Sequence, residues 1–203
     1  MKKPLPIGIS DFKEVITQGY AYVDKTLLIE ELIEKGTKVA LIPRPRRFGK
    51  TLNLSMLRYF FEKKEEDTSC LFKGLNIWKL EKYRAFQGQF PVIFISLKDT
   101  KKPSWEKTFE SFCILIAAEF ERHSYLLGKD ILTTQEQEDY KAIVTRKASQ
   151  ALYEYSLQLL TKWLHRYHKK NVIILIDEYD APAHSAYVEG YYDAFVSFLP
   201  KLP

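Results

Sequence analysis

The sequence predicts an α/β fold in which a parallel sheet is flanked by helices. Residues 39–42, 92–97 and 172–176 are short apolar runs with the length and β-branched content of buried strands. Helix-patterned stretches lie between them, and strands separated by helices pair in parallel through right-handed crossovers. Three strands are few for such a sheet, which bears on what is expected near the C-terminus below.

Taken in order, Ile7-Gly8-Ile9-Ser10-Asp11-Phe12 opens as a loop or short turn. Asp24 is expected to cap a helix through Lys35 with an apolar stripe of Leu27, Leu28, Leu32 and Ile33, and Gly36 stops it. The strand at 39–42 and its loop follow. A helix from Lys50 to about Lys63 carries Leu52, Leu54, Met56, Leu57, Phe60 and Phe61, and fades into the solvated charged run at 63–67.

The second strand follows Pro91, and Lys98 and Asp99 end it on the rim where the third strand also ends. Residues 104–122 read as a helix with Trp105, Phe109, Phe112, Ile116 and Phe120 on one face. Residues 125–140 are polar and give no clear pattern. A long helix is expected over 141–168, its buried side marked by Leu152, Tyr155, Leu159, Trp163 and Tyr167. Its His165 and His168 make either a cationic helix terminus or, less simply, a metal-ligand pair. The third strand is expected to be buried on both faces. Tyr179-Asp180-Ala181-Pro182 reads as a turn, and 188–199 as a short aromatic helix. These aromatic stripes are read as core rather than as platforms for stacking bases.

At 203 residues the chain suits one domain, 1–203, with length enough to bury a core. No apolar run approaches the ~20 residues of a membrane-spanning helix, and the N-terminus has no signal-peptide pattern. Cys70 and Cys113 show no metal-ligand spacing and fit reduced thiols in a cytoplasmic protein. The net charge of +5 permits nucleic-acid contact without demanding it. Its densest patch is Arg44, Arg46, Arg47 and Lys50, which an anionic ligand would neutralise.

That patch lies in Arg44-Pro45-Arg46-Arg47-Phe48-Gly49-Lys50-Thr51, between a predicted strand and a predicted helix. Strand, Gly-Lys-Thr, helix is the arrangement of a phosphate cradle. The first N–H groups of a helix have no partner within it and favour an anion. Gly49 lets the backbone approach phosphate, Lys50 reaches β/γ-phosphates as a point charge, and the Thr51 hydroxyl ligates Mg²⁺. The cradle is taken as Arg47, Phe48, Gly49, Lys50, Thr51 and Leu52. The P-loop (Walker A) pattern G-x-x-x-x-G-K-[ST] has Gly where this chain has Arg44. A basic strand-to-helix turn is the plainer alternative.

The third strand ends in Asp177 and Glu178. Ligands of open α/β sheets sit at the carboxyl ends of strands. Asp177 would there meet the Mg²⁺ held by Thr51, and Glu178 would orient or deprotonate an attacking water. Two solvated acids closing a core strand are the alternative.

Four segments carry a family resemblance: Gly8-Ile9-Ser10-Asp11-Phe12, Tyr22-Val23-Asp24-Lys25-Thr26, Arg44-Pro45-Arg46-Arg47-Phe48-Gly49-Lys50-Thr51, and Leu175-Ile176-Asp177-Glu178-Tyr179-Asp180. Over nearly its whole length the chain resembles the AAA-ATPase-like domain of bacterial proteins that often carry a C-terminal PD-(D/E)xK nuclease-like domain. The resemblance implies a P-loop NTPase-like parallel sheet flanked by helices. It makes Arg44 the family's own variant, and assigns Gly49, Lys50 and Thr51 to nucleotide phosphate and Mg²⁺. Asp177 and Glu178 become the second acidic (Walker B) motif. The cofactors implied are ATP and Mg²⁺, with Lys50 and Glu178 as catalytic residues and Thr51 and Asp177 as metal ligands.

In such ATPases a further strand bearing a polar sensor residue follows the acidic motif. None reads here, so the fold is expected to be truncated before the sensor strand, with hydrolysis impaired. Nucleic acid would be a partner only through the missing nuclease-like domain. The competing expectations are a non-catalytic nucleotide- or DNA-binding regulatory module, or an inactive fragment. ATP versus GTP, oligomeric state and the work driven by hydrolysis stay open.

Overall fold

A computed structural model describes residues 3–36, 38–43, 48–128 and 130–198. The chain divides into two compact units, 1–92 and 93–203, and each is described by itself.

The first unit is helical: α1 (Phe12–Thr17), α2 (Leu27–Lys35), α3 (Lys50–Phe61) and α4 (Glu81–Arg84), with 3₁₀ turns at Ser69–Phe72 and Asn76–Lys79. Its centre is aromatic. Phe72 lies 5.2 Å from Phe12, stacked, and 5.2 Å from Phe60, edge-on. All three are fully buried, and each such side chain stabilises the unit by about 1.5–3 kcal/mol. The predicted loop at 8–12 ends in a helix start. Asp11 caps α1 by accepting from the Glu14 N–H at 2.9 Å. The same carboxylate accepts from the Ser55 hydroxyl at 3.3 Å and the Tyr59 hydroxyl at 3.1 Å, and Ser55 Oγ accepts from the Phe12 N–H at 2.9 Å. Asp11 therefore fixes the pose of α3.

Gly36, at φ 54°, ends α2 as expected. Its start differs from expectation: Thr26, not Asp24, is the cap residue, and its side chain makes no capping bond. The expected strand at 39–42 is not formed. The described residues 38–43 carry no strand, and Val39 and Leu41 are 87% and 65% exposed. Strand backbone needs a neighbour for its N–H and C=O groups. In this unit the described bridge, Glu62 with Phe90, lies elsewhere.

The second unit holds a two-stranded parallel sheet, β1 (Val92–Ser96) beside β2 (Ile173–Asp177). β1 starts at the last residue of the first unit. The helices around the sheet are α5 (Trp105–Arg122), α6 (Thr134–Val144), α7 (Gln150–His168), α8 (Asp180–Val188) and α9 (Tyr192–Phe198). Ile93 and Ile95 of β1 share one core with Phe112, Ile116 and Phe120 of α5 and Leu160 and Trp163 of α7. The aromatic stripe of α5 is thus core, as expected. β2 is only partly covered: Leu175 and Asp177 are buried, while Ile173, Ile174 and Ile176 are half-buried.

The expected single helix over 141–168 is two helices. Arg146 turns left-handed at φ 58°, the Lys147 and Ala148 N–H groups both bond to the Ala142 carbonyl, and Ser149 caps α7. Before the break, α6 fills part of the unassigned 125–140 stretch and starts with a capping box of Thr133 and Glu136. The buried face of α7 is Tyr153, Leu157, Leu160 and Leu164 beside Trp163, and Tyr155 is 41% exposed. The expected and observed apolar sets lie on adjoining, overlapping arcs of this helix, with Trp163 in both.

The expected turn at 179–182 opens α8 instead. Pro182 falls in the first turn, where its missing N–H has no helical acceptor to lose. The expected helix over 188–199 is α9, separated from α8 by Gly190 at φ 79°.

The buried Glu119 accepts from the Phe94 N–H at 3.0 Å and from Arg122 Nε at 3.0 Å, and lies 3.3 Å from His123 Nε2. Burial pushes its carboxyl up, but His123 and Arg122 outweigh this and hold it below the ordinary glutamate range. His165, Arg166 and His168 form the basic last turn of α7, and no cluster of metal-ligating side chains occurs among the described residues. Cys70 and Cys113 are free thiols. No helix among the described residues is long and apolar enough to cross a membrane.

Candidate functional site

The residues singled out in the sequence form two groups, one in each unit. In the first, Gly49 stands at the cap of α3 with φ 72° and ψ 29°. This left-handed turn suits glycine, because a Cβ there costs about 1–2 kcal/mol. Among the described residues no atom lies within 4 Å of where that Cβ would stand. The first helical bond runs from the Asn53 N–H to the Gly49 carbonyl at 2.9 Å. The donors of Lys50, Thr51 and Leu52 precede it, in the positions that face out of a helix start.

Asp11, Ser104, Thr133 and Ser149 cap α1, α5, α6 and α7 through their side chains, whereas α3, like α2, α4 and α8, has no such bond. Lys50, Thr51 and Leu52 are half-buried in its first turn, and Phe48 is 55% exposed. Gly49 in a left-handed turn, an ammonium, a hydroxyl and an uncapped helix start fit a phosphate chain with its divalent cation. Arg47, like Arg44, Pro45 and Arg46, lies outside the described residues.

The loop before α2, for which sequence reading found no role beyond capping, borders this group. Asp24 Oδ1 accepts from the Thr26 N–H at 2.9 Å and the Thr26 hydroxyl at 2.7 Å, and Oδ2 accepts from the Asn76 N–H at 2.7 Å. Partial burial opposes its charge, but these bonds and nearby Lys79 bring the carboxyl below the usual aspartate range. Between Asp24 and Thr26, Lys25 sends its Nζ to the Phe48 carbonyl at 3.5 Å.

In the second unit, Asp177 is the last residue of β2 and is 3% exposed. Its carbonyl accepts from the Leu97 N–H at 3.0 Å, so both strands end on one rim, beside the exposed Lys98 and Asp99. Glu178 follows at φ 54°. Of the other non-glycine residues with positive φ among those described, Arg146 and Lys169 close helices and Asp130 is a loop aspartate. Glu178 alone of these joins a strand to a helix, with its carbonyl accepting from the Ala181 N–H at 3.0 Å. A glutamate held so costs about 1–3 kcal/mol.

One cleft of the first unit, of roughly 200 Å³, runs between Glu62 and Gln89. Four acidic residues, Glu62, Glu65, Glu66 and Asp67, line it against one cation, Lys64, which pairs with Glu62. That charge repels phosphate, which sets the cleft apart from the α3 group.

The chain matches a family model described as "Predicted AAA-ATPase" over residues 6–202. It is also 34% identical over 188 residues to an "Uncharacterized protein in vnfD 5'region" of Azotobacter chroococcum mcd 1. The aligned region covers 89% of this chain and 30% of that relative, so the chain spans about a third of the relative's length. No solved structure matches. With 6–202 matched, and with both motif groups inside that range, the chain belongs to the AAA-ATPase-like family.

Proposed function

We propose that this chain binds ATP with Mg²⁺ at the start of α3 and supports its hydrolysis. The observation that carries the reading is the left-handed Gly49, followed by Lys50 and Thr51 at a helix start without a side-chain cap, in a chain of this family. Gly49 keeps side-chain bulk away from the phosphates, and the N–H groups from Phe48 to Leu52 face them. The Lys50 ammonium offsets charge on the β/γ-phosphates. The Thr51 hydroxyl and the Asp177 carboxylate would hold Mg²⁺, which when bound neutralises phosphate charge. Glu178, in its left-handed turn, orients or deprotonates the attacking water.

Titration with a fluorescent ATP analogue tests the reading. Lys50→Ala is expected to abolish binding. Glu178→Gln keeps binding and loses Mg²⁺-dependent phosphate release. Unchanged affinity in Lys50→Ala would overturn the assignment.

A further inference from the structure

Lys25 is a half-buried lysine whose surroundings supply little to its charge. Among the described residues its ammonium has the Phe48 carbonyl, at 3.5 Å, and forms no ion pair. Lys13, Lys35, Lys64 and Lys82 of the same unit each hold a carboxylate, at 2.6, 2.5, 2.8 and 2.9 Å. The carboxylate next in sequence is committed elsewhere, since Asp24 accepts from Thr26 and Asn76. An ammonium has three donors, and its strongest hydrogen bonds are to charged acceptors.

The backbone that presents Lys25 is held on both sides. Asp24 is fixed by its three hydrogen bonds. Thr26 is fully buried, and its hydroxyl accepts from the Ile77 N–H at 3.1 Å. The 3₁₀ turn Asn76–Lys79 thereby holds the backbone of 24–26 in place. Lys25 points at the carbonyl of the residue just before Gly49, where the chain turns into α3.

We infer that Lys25 is a second phosphate-directed cation of the α3 site, acting with Lys50 on a bound nucleoside triphosphate. This rests on the nucleotide reading above. A charge-assisted hydrogen bond contributes enough that its loss weakens binding about 10–100-fold. If Lys25 only tied down the Phe48 carbonyl, removing it would alter stability and affect phosphate-bearing and phosphate-free ligands alike.

The test compares methylanthraniloyl-ATP with methylanthraniloyl-adenosine, both with Mg²⁺, on the full chain and on Lys25→Met, Lys25→Arg and Lys50→Ala. The inference expects Lys25→Met to lose about 10–100-fold for the triphosphate and little for the nucleoside, and Lys25→Arg to stay near the parent. Should Lys25→Met also melt earlier, the triphosphate-to-nucleoside ratio decides, because a structural defect lowers both affinities together. Triphosphate affinity kept in Lys25→Met, with binding lost in Lys50→Ala, would overturn the role of Lys25 and leave the nucleotide reading intact. A parent chain that binds neither probe would overturn both.

Discussion

The main-chain carbonyl of Asp177 accepts a hydrogen bond from the Leu97 N–H at 3.0 Å. Leu97 lies one residue beyond the end of β1, so pairing continues to the last residue of β2. The sheet thus sets the position of Asp177 through its backbone. Asp177→Asn, of equal size, is expected to keep the Leu97 amide protected in hydrogen exchange while Mg²⁺-dependent nucleotide affinity falls about 10–100-fold. Loss of protection at Leu97, or unchanged Mg²⁺ dependence, would contradict this.

Glu178 holds a backbone conformation that glycine adopts without strain. Replacing Glu178 by Gly removes about 1–2 kcal/mol of left-handed cost and adds back about 0.5–1 kcal/mol of chain entropy. The variant should therefore be as stable as the parent or up to about 1.5 kcal/mol more stable, with phosphate release abolished. Denaturant midpoints check the first part, and clear destabilisation would refute the strain assigned to this turn.

Asp11 joins α1 to α3 through the Glu14 N–H and the hydroxyls of Ser55 and Tyr59. Burial and the facing Asp11 carboxylate push the Tyr59 hydroxyl up to about 12, so it stays protonated and donating at neutral pH. Asp11→Ala removes a cap and two bonds to a charged acceptor, a loss of about 2–3 kcal/mol. Tyr59→Phe should cost about 1 kcal/mol, since one donor is lost. Urea denaturation measures both, and a near-neutral Asp11→Ala would remove the account of how α3 is posed.

Glu136 of α6 receives both terminal nitrogens of Arg166 of α7, at 2.6 and 2.9 Å, and the Thr133 N–H at 3.0 Å. The Arg166 guanidinium is the largest cause lowering its carboxyl from 4.5 to about 2. A depressed folded-state value means stability that is fully present above about pH 4.5 and is lost as pH falls towards about 2. Glu136→Gln should be less stable than the parent at pH 7 by about 1–3 kcal/mol. The gap should close between those two pH values. A gap independent of pH would show that the pair contributes through packing rather than charge.

Much of this was legible in the sequence, and the rest was hidden for physical reasons. The strands near 92–97 and 172–176 announced themselves as short, mostly apolar runs, and α5 through its aromatic stripe after Ser104. Residues 39–42 have the same character, yet a strand also requires a neighbour, which a local pattern does not report. The break at 145–148 has no Gly or Pro, and Arg146 takes the left-handed turn in their place. Gly49-Lys50-Thr51 and Asp177-Glu178 were visible as short motifs. Asp11 and Lys25 stood inside the family segments, but their contacts were not legible, because the partners lie 44, 48 and 23 residues away.

The central proposal is that the start of α3, through Gly49, Lys50 and Thr51, holds a triphosphate with its Mg²⁺. Affinity for the ATP analogue with and without Mg²⁺, compared between the parent chain and Thr51→Ala, tests it most directly. Thr51→Ala is expected to lose about 10–100-fold with Mg²⁺ present and little without it. Equal affinities in parent and variant, or an affinity indifferent to Mg²⁺ in both, would contradict the proposal.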